Sequence, residues 1–376
     1  MSLALRLPPD IPLTLISDSL EPKDDKTWCL WDKRVIPSPD LIHHTWNCLK
    51  VIGPDGEAIR SRLSHHAYYC IRSERFQQYG LDKLSNRPQT RLIEARVNEI
   101  EPGKNTAVLH HTSGSTHADL VFQSHRPPPN THLYSEQRIA LKQHFQGWDI
   151  KTVQPVFDPD EAILMDFRVN QSLGFAFVYV LPFSTTEALV ELTFFTPDLL
   201  DNRATYSNLL TTYLSTQFQL EPDSYSIKRT EFGVIPMVDG FVPSPSEHPI
   251  YSIGLAGGHA KASTGYAFSR IMRDSMRIGA ELSRGVIPGR GSLSEIRYQF
   301  YDLLILQLIK NEPDRAVDIF TTLFRKNGFD TMFRFLDEQT SFSEDLQIMA
   351  SVPRYSDFFR SMWRTRHRLA SLSVRG

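Results

Sequence analysis

The chain reads as α/β plus α+β: a Rossmann-like dinucleotide-binding domain joined to an antiparallel-sheet domain and a helical C-terminal region. Three observations predict this. An apolar strand runs into Gly254, Gly257 and Gly258, with a helix expected to open near Ser263 and Thr264. At such a turn small residues let backbone amides approach a pyrophosphate at the positive end of a helix. Three runs rich in β-branched and aromatic residues, 162–169, 175–181 and 188–195, are separated by short polar loops and predict an antiparallel meander. Beyond Gly291 helical patterning takes over: residues 296–309 are strongly apolar and 320–362 read as several helices.

Composition bounds the function classes. With 376 residues, 41% of them hydrophobic and 22% charged, the chain is long enough for two domains and a large core. A net charge of −2 gives no general attraction to nucleic acid or anionic membranes. Cys29, Cys48 and Cys70 lack C-x-x-C spacing, so neither a metal site nor a disulfide scaffold is expected, and a reducing cytoplasm is the natural location. No apolar run reaches the length of a bilayer span and no secretory signal is legible, so membrane contact is expected to be peripheral.

Residues 1–7 read as the last two turns of an apolar helix stopped by Pro8, Pro9 and Asp10, and 12–17 as a buried strand. That is the second half of a βαβ unit whose first half would carry a strand and a G-x-G-x-x-G loop. The sequence contains no such loop ahead of this strand; the expectation is an N-terminal truncation that weakens cofactor binding, the alternative being a protein that natively does without the loop. Residues 27–31 and 67–76 follow. In the latter Ser73 is expected as a helix N-cap, Glu74 lies in the first turn, and Arg75 either meets a phosphate or carboxylate or stands as a solvated surface residue. Residues 89–122 read as short strands around turns at 103–105 and 113–115, and HRPPPN at 125–130 marks a linker. The resulting division is 1–125 for the first part of the dinucleotide domain, 126–245 for the sheet domain, 246–290 for the returning part and 291–376 for the helical region. A helix through Tyr206, Leu210 and Tyr213 is expected to cover one sheet face.

Strand alternation puts Glu191 on the face of Leu189, Thr193 and Phe195, opposite Val190, Leu192 and Phe194. If that face is wet, Glu191 is an ordinary surface glutamate. If it is dry, burial raises its pKa and lets it deliver a proton to a weak base. Asp166 poses the same question, with Arg168 expected to meet it in a surface ion pair.

Several blocks in order carry a resemblance: KTWCLW at 26–31, YYCIRSERF at 68–76, FVYVLPFSTTEALVEL at 177–192, EFGVIPM at 231–237 and GGHAKASTGYAF at 257–268, with a weaker match at 335–353. The chain resembles the bacterial flavoprotein-type lycopene beta-cyclases. The resemblance implies an FAD/NAD(P)-binding Rossmann-like fold in which Gly254, Ala256, Gly257, Gly258, Ser263, Thr264, Gly265 and Tyr266, with Arg75, hold FAD. It implies cyclisation of the ψ-ends of an acyclic carotenoid, lycopene, to β-ionone rings without net redox change. The flavin would work reduced, with NAD(P)H as electron source, and Glu191 matches the family's essential strand carboxylate. Phe177, Tyr179 and Phe195, with Phe175 and Phe194, offer apolar walls for such a substrate. No metal is implied.

Four departures stand out. The flavin loop is missing, and Ser17 stands where an acidic residue normally ends the second strand, with Asp18 one position late. Leu192 replaces an aspartate that some relatives carry, and Lys261 a histidine. Two other readings follow: a flavin monooxygenase or oxidoreductase of the same architecture, and an inactive carotenoid-binding remnant. The tail gathers Arg360, Arg364, Arg366 and Arg368 around Phe358, Phe359 and Trp363, which reads either as a helix resting on a bilayer surface or as an ordinary terminal helix. Oligomeric state is not legible.

Overall fold

A computed structural model describes residues 1–124, 139–239, 249–289 and 295–352. The expected linker at 125–130 and the basic tail lie outside them. In chain order the elements begin with β1 (Leu13–Ser17), β2 (Thr27–Leu30), β3 (Ile42–Trp46), β4 (Cys48–Ile52), β5 (Ala58–Arg62), β6 (Tyr68–Arg72) and α1 (Ser73–Ser85). Five short strands follow: β7 (Thr90–Glu94), β8 (Val97–Pro102), β9 (Ala107–His111), β10 (Gly114–Ala118) and β11 (Val121–Gln123). Next come the long strand β12 (Ala140–Thr152), then β13 (Glu161–Asp166), β14 (Phe175–Pro182), β15 (Glu187–Thr196), α2 (Arg203–Phe218), β16 (Tyr225–Val238) and β17 (Ile250–Ser252). The chain then turns helical: α3 (Phe268–Ser283), α4 (Ile296–Asn311), α5 (Pro313–Asn327), α6 (Phe329–Leu336) and α7 (Phe342–Ser351).

The parallel pairs β1–β7 and β11–β17 and the antiparallel sets β2–β6–β3 and β8–β9–β10 form four small sheets beside the large one. The expected meander is β13–β14–β15, antiparallel throughout, within a seven-stranded sheet ordered β16-β12-β15-β14-β13-β4-β5. Strands β4 and β5, from within 1–125, join that sheet through a parallel pairing of β4 with β13.

The sheet has two apolar faces, as period-two alternation requires. One packs Val178, Val190, Leu192 and Phe194 against Tyr206, Leu210, Tyr213 and Leu214 of α2. The Asn202 side chain caps α2 by accepting from Thr205 N, a contact that contributes ~1 kcal/mol. The opposite face carries Phe175, Phe177, Leu189 and Phe195 in one core with the C-terminal helices. Glu191 points to this second face.

Four local expectations are corrected. The N-terminal residues form one 3-10 turn, Ala4–Arg6, because Leu7 ahead of Pro8 is already extended. Ser73 is the first helical residue of α1 and Arg72 its cap; the serine hydroxyl donates to Lys23 O and accepts from Asp25 N and Lys26 N instead. The helix after the glycine turn starts at Phe268 rather than near Ser263. Asp166 is fully buried, held by Arg168 at 2.6 Å and by the Tyr213 hydroxyl at 2.8 Å, so its ion pair is an interior one.

Candidate active site

Four neighbouring strands meet at one level of the sheet. Glu191 on β15 is opposite Gly147 on β12, Gly147 is opposite Glu231 on β16, and Tyr179 on β14 is opposite Glu191. Residues in register share a face, so both glutamates, the tyrosine and the bare glycine look the same way. The glycine is needed there: a Cβ at 147 would stand 2.9 Å from Glu191 Oε2 and 3.0 Å from Glu231 Cγ. The two carboxylates flank a gap that only glycine leaves.

Glu191 is 1% exposed and Glu231 5% exposed. Glu191 Oε1 accepts from the Thr193 hydroxyl at 3.4 Å, while Glu191 Oε2 and Glu231 Oε1 are buried without a hydrogen-bond partner among the described residues. Burial and the Glu231 carboxylate push the Glu191 pKa well above the ordinary carboxylate range, against a smaller pull from Tyr179 and Thr193. Burial likewise pushes the Tyr179 phenol well up, so it stays a hydrogen-bond donor.

Glu231 is anchored on its other side. Its Oε2 accepts from Arg229 at 2.8 Å and from the Thr27 hydroxyl at 3.1 Å. Arg229 also meets Asp149 at 2.7 Å, and Arg72 bridges Asp149 and Asp24 at 2.5 and 2.6 Å. Burial pushes Asp149 up, but the two guanidiniums outweigh it and hold the carboxyl below its usual range. Arg75, expected to meet an anion, is exposed on the first turn of α1; Arg72, at the cap, is the buried arginine of this network.

The glycine turn lies over the same sheet face. Strand β17 enters it, and Gly254, Gly258 and Gly265 take positive φ of 64°, 81° and 71°. Gly265 sits on Gln143 and Ile235, on β12 and β16, where any side chain would overlap the Gln143 amide. Ala256, Gly257 and Gly258 are buried within the turn. Tyr68 is buried in the core shared by the turn and the sheet face, with Cys29 and Tyr266 half-buried against that core. Burial pushes Tyr266 up to about 12.

Two turn residues have other duties. Ser263 is 5% exposed and its hydroxyl donates to Asp302 of α4 at 2.6 Å; Thr264 Oγ1 accepts from Tyr266 N at 3.4 Å. The first of these belongs to a latch. Lys261, 3% exposed, reaches Asp302 at 2.9 Å and Glu338 at 3.0 Å, and Glu338 also meets Arg270 at 2.8 Å. Burial pulls Lys261 down, but the two carboxylates outweigh it and keep the ammonium above its ordinary value. What differs here from a histidine is a long cation that ties the turn to α4 and to the segment after α6.

The aromatic residues divide by face. Phe177 and Phe195 lie on the Glu191 face with Phe175, their rings 5.3–6.0 Å apart, and Tyr179 is half-buried beside them. Phe194 stacks on His144 and meets Tyr206 edge-to-face beneath α2, so it is not a wall of this site. Leu192 points to the same α2 face, and an acid there would be turned away from Glu191. Glu231 was not legible as a partner, although it opens the block EFGVIPM; only the β12–β16 register brings it to Gly147.

The described residues hold no cluster suited to a metal ion. The whole arrangement belongs to a known architecture: it aligns with a geranylgeranyl bacteriochlorophyll reductase-like protein from Thermoplasma acidophilum (TM-score 0.60, 12% identity, 96% of this chain and 94% of that one). Halogenase PltM (0.59, 10%, 99% and 91%) and the flavin-dependent brominase Bmp2 (0.56, 10%, 89% and 89%) align similarly. The fold is therefore the α/β fold shared with flavin-dependent halogenases and reductase-like proteins. Within that class, the family model described as lycopene cyclase protein matches residues 1–366, and the chain belongs to the lycopene cyclase family. It is 24% identical to the lycopene beta-cyclase of Paracoccus sp. over 375 residues, 94% of this chain and 90% of that enzyme. The lycopene beta-cyclase of Pantoea ananas is 24% identical over 298 residues, 74% and 70% of the two chains.

Proposed function

We propose that the chain is a lycopene beta-cyclase, an isomerase that closes the ψ-ends of lycopene to give γ- and then β-carotene. The observation that carries this reading is Glu191: a fully buried carboxyl whose pKa is raised by burial and by Glu231, on an aromatic face beneath the glycine turn. An alkene is a very weak base, so its protonation needs an acid kept neutral in a dry site and a wall that does not quench the cation. Glu191 is assigned the donor role: its proton goes to the terminal double bond, the neighbouring double bond captures the cation, and the ring proton then lost is taken by the Glu191 carboxylate, which re-equilibrates with solvent. Phe177, Phe195 and Tyr179 present ring faces to the chain of the substrate and to developing positive charge.

The turn suits FAD. Gly254, Ala256, Gly257, Gly258 and Gly265 let backbone approach a pyrophosphate, with Thr264 and Tyr266 at its far end, and Gln143 Oε1, buried and without a partner among the described residues, offers an acceptor to a ring N–H. Bound there and reduced by NAD(P)H, FAD would supply negative charge opposite the cation. Ser263 is assigned a supporting role through Asp302, and Arg75 an outer contact to phosphate. No helix among the described residues is long and apolar enough to cross a membrane, and access to a membrane-dissolved substrate is assigned to peripheral contact on the inner face.

The test is mass balance. The purified protein with reduced FAD and lycopene in vesicles should yield an isomer of unchanged mass in H2O and, in D2O, a product in which one deuterium replaces one hydrogen per ring. Product that gains or loses hydrogen pairs, or that consumes NAD(P)H and oxygen in proportion, would identify the monooxygenase-type alternative instead.

A further inference from the structure

We propose that Glu231 is a second carboxylate of the proton-donating site: anchored by Arg229 and Thr27 and brought to Glu191 across Gly147, it keeps the proton on Glu191. The inference rests on the cyclase reading for its purpose but on geometry for its content. Gly147 is the residue in register with both glutamates, and its missing side chain is what lets them face each other.

Among the described residues, the charges nearby give Glu191 no cation of its own. From β16 come Glu231 and Arg229, from β14 Tyr179, from β12 Asp149, from β2 Thr27 and Cys29, from β6 Tyr68, Cys70 and Arg72, from the turn Tyr266, and from its own strand Thr193. The two guanidiniums are already engaged by Asp24, Asp149 and Glu231. A fourth ionised carboxylate would be buried beside a like charge with no counterion, so the proton stays on the member of the pair that Arg229 does not touch. That member is Glu191. In this chain Glu231 supplies the second carboxylate that Leu192, turned under α2, does not.

Infrared difference spectra of the full chain test this without substrate. A protonated carboxyl band that disappears in Glu191→Gln identifies the group, and its titration midpoint is then followed. In Glu231→Gln the midpoint should fall by about one pH unit or more. Glu231→Asp keeps a partner for Arg229 and withdraws the charge by one methylene; its midpoint should fall between those of the wild type and Glu231→Gln. A wild-type midpoint in either variant that folds, by circular dichroism and melting temperature, overturns the pairing. Because the band is read in the absence of lycopene, the pairing stands or falls whether or not the chain cyclises it. If cyclisation is present, the alkaline limb of its pH profile should move with the band in Glu231→Gln.

Discussion

Glu191 is a costly residue for this fold to keep. Its pKa is raised in the folded protein, so above the ordinary carboxylate pKa the folded state binds more protons than the unfolded one, and stability falls as pH rises toward the raised value. Glu191→Gln removes that penalty while nearly preserving shape. The variant should melt about 2 °C or more above the wild type at neutral pH, with the gap closing below the ordinary carboxylate range; calorimetry across pH reads this directly. Catalysis should move the other way, with cyclisation lost. Glu191 was legible in the sequence because strand alternation alone placed it among Leu189, Thr193 and Phe195. Whether that face was dry was not legible, since dryness comes from α4–α7 and the turn, distant in the chain. Glu231 and Gly147 escaped for the same reason: each is ordinary in its own strand, and only the ladder makes them neighbours.

Two elements carry predictions of their own. Beneath α2, His144 donates from Nε2 to Thr196 Oγ1 at 2.6 Å and accepts at Nδ1 from the Tyr206 hydroxyl at 2.5 Å; Thr196 Oγ1 donates its own hydrogen bond to Asp198 O, which fixes this tautomer. Burial lowers the His144 pKa from 6.5 to about 4. The unfolded chain therefore takes up this proton first on acidification, so stability is lost as pH falls from about 6.5 toward 4. In His144→Gln that loss should shrink, as urea midpoints at pH 7 and pH 5 would show. The second element is the turn latch. Lys261→Met leaves Asp302 and Glu338 facing each other without their shared cation, and loss of one partner from a buried cluster costs ~3–5 kcal/mol. The expected outcome is a lowered melting temperature and weaker FAD retention on gel filtration, with the latch on α4 failing first. The meander, α2 and the short strands of 89–122 were legible from local pattern. The helix start at Phe268 was not, because the backbone turn closed between Lys261 and Tyr266 is pinned by the tertiary contacts of Lys261 and Ser263 to Asp302.

At the scale of the whole molecule, the seven-stranded sheet is the wall between two cores: one covered by α2 with Phe157 and Leu220, the other shared with the glycine turn and the C-terminal helices. The second face carries Glu191, Phe175, Phe177 and Phe195 beneath the glycine turn, and it is there that the proposed chemistry is assigned. The broad fold was legible in the glycine turn, the meander and the helical C-terminal patterning. The entry of β4 and β5 into the sheet was not, since a parallel pairing across more than a hundred residues leaves no local mark. One measurement bears most directly on the assignment of Glu191 as the proton donor of a cyclase: the carotenoid composition of a lycopene-accumulating host expressing either the wild-type chain or Glu191→Gln at equal soluble level. Conversion of lycopene to γ- and β-carotene by the wild type, with lycopene alone in the variant, is the predicted result. Ring formation that survives in Glu191→Gln would contradict it.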